Sequence, residues 1–271
     1  MLLKTTFFLL LATSVAAQGA EPSPRAPTGK WTVDFDAAQC VAVRDYGIPD
    51  RPMRLFLKAP PVGEVIQIGV TRKASRVDAD QIDATVTLGD LAPLKTTLLQ
   101  FSPKSGDTRI YLLNLPAADF RAAVVEAKTL WIHASGFSEN FALTQMGPLL
   151  KVIDGCVDDL KRTFNIAEGA AAAGPLARRA RGDIRRHFDP GHYPTTALRA
   201  GQSGIVRIVL LIDEQGRVAD CTVTETSGFA SLDAQTCAVL KEKARFEHAR
   251  NGEGQAVKDS VTTRVRWITE K

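Results

Sequence analysis

Four side chains in this sequence can form covalent bonds of structural consequence: Cys40, Cys156, Cys221 and Cys237. In an exported chain an even number of cysteines favours disulfides, and four cysteines allow three pairings. Cys40 and Cys156 bracket one long segment, whereas Cys221 and Cys237 lie close together in another. Two separate folding units therefore select Cys40 with Cys156 and Cys221 with Cys237. The alternative is four reduced, buried thiols. A metal centre fits less well, because no C-x-x-C and no histidine cluster accompanies them.

Catalytic chemistry has little to work with. His133 is the only histidine upstream of the linker, and neither Ser138-Glu139-Asn140 nor Asp158-Asp159 supplies a nucleophile with a base in evident reach. His187 and His192 lack a carboxylate at ligand spacing and read as surface residues. No catalytic residue, metal ligand or cofactor is expected, and the protein is not expected to be an enzyme. A formal charge of +4 on 271 residues, with no basic stripe interleaved with aromatics, argues against nucleic acid. With 45% hydrophobic and 24% charged residues, the composition is that of an ordinary globular chain with room for two modest domains.

The N-terminus bears on the cysteines. Lys4 precedes an apolar run over residues 5–15, and Ala16-Ala17-Gln18-Gly19-Ala20 supplies small residues for cleavage. That is the pattern of a secretory signal over residues 1–20. Its apolar run is shorter than the roughly 20 residues of a spanning helix. An uncleaved inner-membrane anchor is the alternative. Export to the periplasm is expected, and after cleavage the proline-rich residues 21–28 are expected to be a disordered leader.

Residues 30–166 alternate short apolar runs with turn signals, which predicts strands over 31–35, 40–44, 53–58, 65–70, 82–88, 97–101, 108–113 and 130–134. Helices are expected from Pro116 to about Lys128 and from about Gly147 to Phe164, where Leu150, Ile153, Val157, Leu160 and Phe164 fall near helical spacing. The unit reads as an α+β, sandwich-like domain of illegible function. Residues 167–190 follow as a connection: a small-residue linker, then a basic helix over 175–188 carrying Arg178, Arg179, Arg181, Arg185 and Arg186. That helix reads as a solvated face docked on the next domain, with contact to anionic lipid as the alternative.

Residues 191–271 are the best specified. The run 205–212 is apolar on one face and largely so on the other, which carries Ile205, Arg207, Val209 and Leu211; Asp213-Glu214-Gln215-Gly216 makes a turn, and a second strand runs over 217–225. There Ala219, Cys221 and Val223 form a buried face and Asp220, Thr222 and Thr224 a wet one. Ser231 is the expected N-cap of a helix to about Ala244, with Leu232, Thr236, Val239, Leu240 and Ala244 on one face and Cys237 at its edge. A last strand spans 260–268, with Val261, Thr263, Val265 and Trp267 facing one way and Thr262, Arg264 and Arg266 the other. The result is an antiparallel β-β-α-β sheet backed by a helix, stapled by Cys221 and Cys237 for about 3 kcal/mol.

Tyr193-Pro194, the segment 197–204, Asp213-Glu214-Gln215-Gly216-Arg217-Val218, Thr226-Ser227-Gly228, Leu232-Asp233 and Ala244-Arg245-Phe246 together resemble the C-terminal domain of the TonB family. The resemblance covers about the last 80 residues. It implies a periplasmic domain that takes an extended segment of an outer-membrane transporter as an added strand. It also implies that the receiving edge is residues 260–268, including Ser260, Thr262, Arg264 and Arg266, with Tyr193 and Pro194 nearby. The partner would be an outer-membrane TonB-dependent receptor or another envelope protein. An uncleaved N-terminus would add inner-membrane motor proteins and energy coupling. The alternative is a free periplasmic adaptor or structural protein that forms a homodimer through the same edge. Glu247-His248 replaces the family's proline, and a globular domain replaces its long spacer.

Overall fold

The computed structural model describes residues 21–36, 38–103, 105–166 and 176–269. The expected signal, residues 1–20, and the small-residue linker, residues 167–174, lie outside these residues. The chain is mixed α+β with two hydrophobic cores.

The first core is enclosed by nine strands: β1 (Thr32–Asp36), β2 (Gln39–Asp45), β3 (Met53–Lys58), β4 (Val65–Lys73), β5 (Asp80–Leu88), β6 (Leu94–Phe101), β7 (Thr108–Pro116), β8 (Thr129–Ala134) and β9 (Phe137–Ala142). Helix α1 (Ala117–Val124) joins β7 to β8, and α2 (Met146–Thr163) follows β9. The strands form one antiparallel sheet in the order β1-β2-β3-β4-β7-β6-β5-β8-β9. It is a single curled sheet rather than the expected sandwich. The Tyr46 hydroxyl after β2 donates to the Ala142 carbonyl at the end of β9 (2.9 Å), and Arg44 donates to the Thr144 carbonyl (3.1 Å). The backbone of Arg25 pairs with Asn140 and Ala142, while the amide of Thr28 donates to the Asp45 carbonyl. Accumulated strand twist brings the two ends together, and the leader, expected to be disordered, is instead ordered by these backbone bonds and seals the seam.

Helix α2 closes the remaining gap. It buries Leu149, Leu150, Ile153, Val157 and Leu160, and Cys156 is bonded to Cys40 of β2 with their Cα atoms 6.0 Å apart. Helix α1 stops at Val124, short of Lys128. β9 was not expected, because Ser138-Glu139-Asn140 is too polar to read as a strand. Ser135-Gly136, with φ +74° at the glycine, turns β8 directly into it.

The second core begins with β10 (Leu176–Arg178) and α3 (Thr195–Arg199). It continues with β11 (Gly204–Ile212), β12 (Val218–Glu225), α4 (Ala230–Lys243), β13 (Ala249–Asn251), β14 (Ala256–Val257) and β15 (Asp259–Trp267). β12-β11-β15 form one antiparallel sheet backed by α4, and β10-β13-β14 a smaller one. The basic helix expected over 175–188 is not formed. The segment instead gives β10, an Arg181 backbone pair to Glu247, and a single 3-10 turn at Ile184–His187. Gly182 explains the extended path: a Cβ there would lie 2.6 Å from the Phe246 ring, so this backbone runs flat against an aromatic.

Two further expectations fail locally. Phe229, not Ser231, is the N-cap of α4, and it makes no side-chain cap. Asp233 reaches back instead, accepting from the Ser227 amide (2.9 Å) and hydroxyl (2.7 Å) and from the Thr226 hydroxyl. The supposedly wet face of β12 is covered as well: Asp220 and Thr222 are buried. Leu211 joins the first core, with Ala219 packed against it, and Lys58 of β3 bridges to Asp220 at 2.8 Å. A strand apolar on both faces, as β11 is, needs cover on both.

Candidate functional site

β15 carries the exposed backbone of interest. On one side it pairs with β11 along its whole length, from Gly204 opposite Trp267 to Ile212 opposite Asp259. No strand pairs with its other flank among the described residues. Backbone groups alternate sides along an antiparallel strand. The carbonyl of Ser260 is taken from outside by the Arg179 guanidinium (3.1 Å), so the groups of Thr262, Arg264 and Arg266 also point away from β11. Those three residues are exposed and their outward backbone groups have no backbone partner among the described residues.

The start of the strand is anchored. Asp259 is fully buried, accepts from the Ala180 amide (2.8 Å) and pairs with Arg179 (2.8 Å), while the Asn165 amide donates to the Lys258 carbonyl (2.9 Å). The far end is fixed by aromatics. The Trp267 indole donates to the Thr236 hydroxyl of α4 (2.9 Å), and the rings of Tyr193 and Phe188 meet it edge-on at 5.1 and 5.5 Å. Tyr193 is half-buried and its hydroxyl donates to the Gln202 carbonyl. It therefore stands on the core side of β15, opposite the faces of Arg264 and Arg266. Pro194, also half-buried, is the N-cap of α3. Ser260 is half-buried beneath Arg179.

The charges on the exposed face are one-sided. Arg264 lies directly opposite Arg207, and Arg266 opposite Ile205. Arg207 is paired with Glu225 at 2.7 Å, whereas Arg264 and Arg266 form no ion pair among the described residues. The other edge of this sheet, β12, looks into a cavity of about 540 Å³ walled by the outer face of the large sheet at Thr97, Leu99 and Leu112. The Cys221–Cys237 disulfide, Cα atoms 5.5 Å apart, lines the same cavity.

The short motifs of this segment converge in space. Gly216, at φ +75°, ends the β11–β12 turn, accepts from the Phe246 amide (2.8 Å), and has no room for a Cβ, which would lie 2.0 Å from the Phe246 carbonyl oxygen. Gly204 is pressed against Ser227, where a Cβ would meet the carbonyl oxygen at 2.5 Å. Turn, loop and helix end thereby lock one another around β11.

Elsewhere, His133 lies opposite Ser138 on β8 and β9, but the Ser138 hydroxyl accepts from the Trp131 indole (3.1 Å) and Glu139 is held by Arg25 and Arg72. Asp158 and Asp159 are exposed on α2, paired with Lys161 and Arg162. No group of three or more metal-ligating side chains occurs among the described residues. His192 completes a capping box with Asp189. Arg179 was expected on a basic helix and instead holds the start of β15, and Arg207, the one charged residue in an otherwise apolar strand, pairs with Glu225.

A three-stranded antiparallel sheet with one helix behind it and two edge strands, β12 facing the cavity and β15 facing outward, defines a small α+β module. Residues 189–269 match the family model for the Gram-negative bacterial TonB protein C-terminal, which supports a TonB-type C-terminal domain over that stretch. A search of curated proteins found no match to the chain. No helix among the described residues is long and apolar enough to cross a membrane.

Proposed function

We propose that the free flank of β15 receives an extended, acidic segment of an outer-membrane receptor or other envelope protein as a fourth strand. The observation that carries this reading is the run of unpartnered outward backbone groups at Thr262, Arg264 and Arg266, on a strand anchored at both ends. Arg264 and Arg266 select for acidic side chains on the incoming strand, and Tyr193 and Pro194 act by positioning its landing site. In this reading residues 1–20 are removed on export. Residues 30–166 form an accessory domain joined through 167–190 to the partner-binding domain 191–271, and the protein works in the periplasm without catalysis. A symmetric homodimer through the same flank would bring the arginines of two copies together, so a peptide is the better guest.

Proline scanning tests the reading. Thr262→Pro removes an outward N–H and leaves the ladder to β11 intact, so it abolishes binding of N-terminal segments of outer-membrane receptors while the thermal midpoint changes little. Undiminished peptide binding by Thr262→Pro in an NMR titration overturns it.

A further inference from the structure

We propose that the mouth of the curled nine-stranded sheet is a binding site for a phosphate-bearing ligand. A cavity of about 570 Å³ opens there, and its lining includes Arg25, Arg51, Arg72, Lys73 and Arg109 against the single carboxylate of Glu139. The strands themselves put these charges together. Ile66, Ile68 and Val70 of β4 point into the core, and Arg72 is the next residue on that face. Arg109 of β7 is its direct cross-strand partner. Like charges placed opposite one another in a ladder repel unless something negative lies between them.

The internal partners leave positive charge over. Both oxygens of Glu139 are engaged, one by Arg25 at 3.0 Å and the other by Arg72 at 3.3 Å. Lys73 pairs with the exposed Asp107 at 3.1 Å. Arg109 donates twice to the neutral Ser75 carbonyl, at 2.6 and 3.2 Å. Neither Arg109 nor Arg51 has an ion-pair partner among the described residues. Arg72 is held rigidly, stacked 5.1 Å from the rings of Tyr111 and Phe137 and bonded to the Tyr111 hydroxyl at 2.9 Å. Its Nε is buried without a partner. Pre-set guanidinium forks match the oxygens of a phosphate group, and fixing them in advance lowers the ordering cost of binding.

Ile48, Pro52 and Met53 form an apolar wall beside the cations. A cavity of this size and lining holds more than an inorganic ion, so the phosphate is expected to carry an adjoining, less polar portion. A soluble phosphoester and a lipid headgroup share that chemistry, and one experiment separates them. The purified chain is titrated with inorganic pyrophosphate by calorimetry, and floated with phosphatidylcholine vesicles with or without one part in five of phosphatidylglycerol. The same is done with the Arg51→Gln/Arg109→Gln double variant, neither residue being part of the core.

Saturable pyrophosphate binding that weakens roughly a hundredfold in the double variant, with no flotation, supports a soluble ligand. Flotation that needs phosphatidylglycerol and is lost in the double variant supports a headgroup. Binding that is absent in both arms overturns the site, as does binding unchanged in the double variant or lost instead on Arg264→Gln/Arg266→Gln.

Discussion

Lys58 on β3 and Asp220 on β12 lie 2.8 Å apart across the junction of the two cores, with the aspartate side chain almost wholly buried. Lys241 of α4 approaches the other carboxylate oxygen at 3.3 Å. The charge of Asp220 is thus desolvated at the junction and neutralised jointly from both sides. Lys58→Met strips away the closer partner. It should destabilise the chain by about 2 kcal/mol, less than a fully stranded buried charge, because Lys241 remains. Urea unfolding of the variant checks this, and a change under about 0.5 kcal/mol, the range of ordinary surface substitutions, would show the contact to be ornamental.

The two disulfides should differ in weight. Cys40–Cys156 closes a separation of 116 residues and Cys221–Cys237 one of 16. Chain-entropy arguments give about 4–5 kcal/mol for the first and about 3 kcal/mol for the second. Paired Cys→Ala substitutions, followed by denaturant unfolding, should rank them in that order. The reverse order would mean that native strain or residual structure in the unfolded chain dominates loop closure.

Much of this was legible in the residues. The alternation of β3 and the turn residues around β11 and β12 forecast those strands nearly residue for residue, and the spacing of Leu150, Ile153, Val157 and Leu160 forecast α2. What was not legible depends on distant partners. The arginine-rich 175–188 stretch has helix-forming side chains, but Phe246 and Glu247, far along the chain, hold it extended. Asp220 and Thr222 read as wet because nothing local says that the large sheet will cover them. The doubly apolar β11 did carry that warning. The basic mouth was equally hidden, since Arg72 and Arg109 become neighbours only through register.

Charge reversal at the open flank separates steering from backbone pairing. Arg264→Glu/Arg266→Glu leaves the outward N–H and C=O groups in place but repels an acidic guest. Affinity for an acidic receptor segment should fall at least about tenfold, and the wild-type affinity should weaken as salt rises from low to physiological levels. Equal affinity for both proteins across that salt range would limit the arginines to solubility and edge protection.

Gly216 should be nearly irreplaceable. Its positive φ and the 2.0 Å approach of a Cβ to the Phe246 carbonyl act together, so Gly216→Ala must open the contact between the β11–β12 turn and the Arg245-Phe246 segment that follows α4. A loss above about 2 kcal/mol is expected. Gly254, also at positive φ but with nothing near its missing Cβ, is the control and should lose less than half as much on the same substitution. Similar losses at the two sites would mean that backbone conformation alone, and not the close approach, sets the cost.

His187 is expected to lend the fold a sensitivity to mild acid. Burial holds its imidazole below the ordinary value of 6.5, and the cations Arg186, Arg245 and Lys243 push the same way against Asp183. As pH falls through 6.5 the unfolded chain takes up the proton first, so protonation favours unfolding. The stability this histidine leaves intact is therefore full above about pH 7 and declines as pH drops from the unfolded value toward the lower folded one. His187→Gln has no proton to take up. Its urea midpoint should fall less than that of the wild type between pH 7.5 and pH 5.5, since the carboxylates common to both cancel in the comparison. Parallel midpoints over that interval would show that the imidazole titrates alike in the folded and unfolded chains.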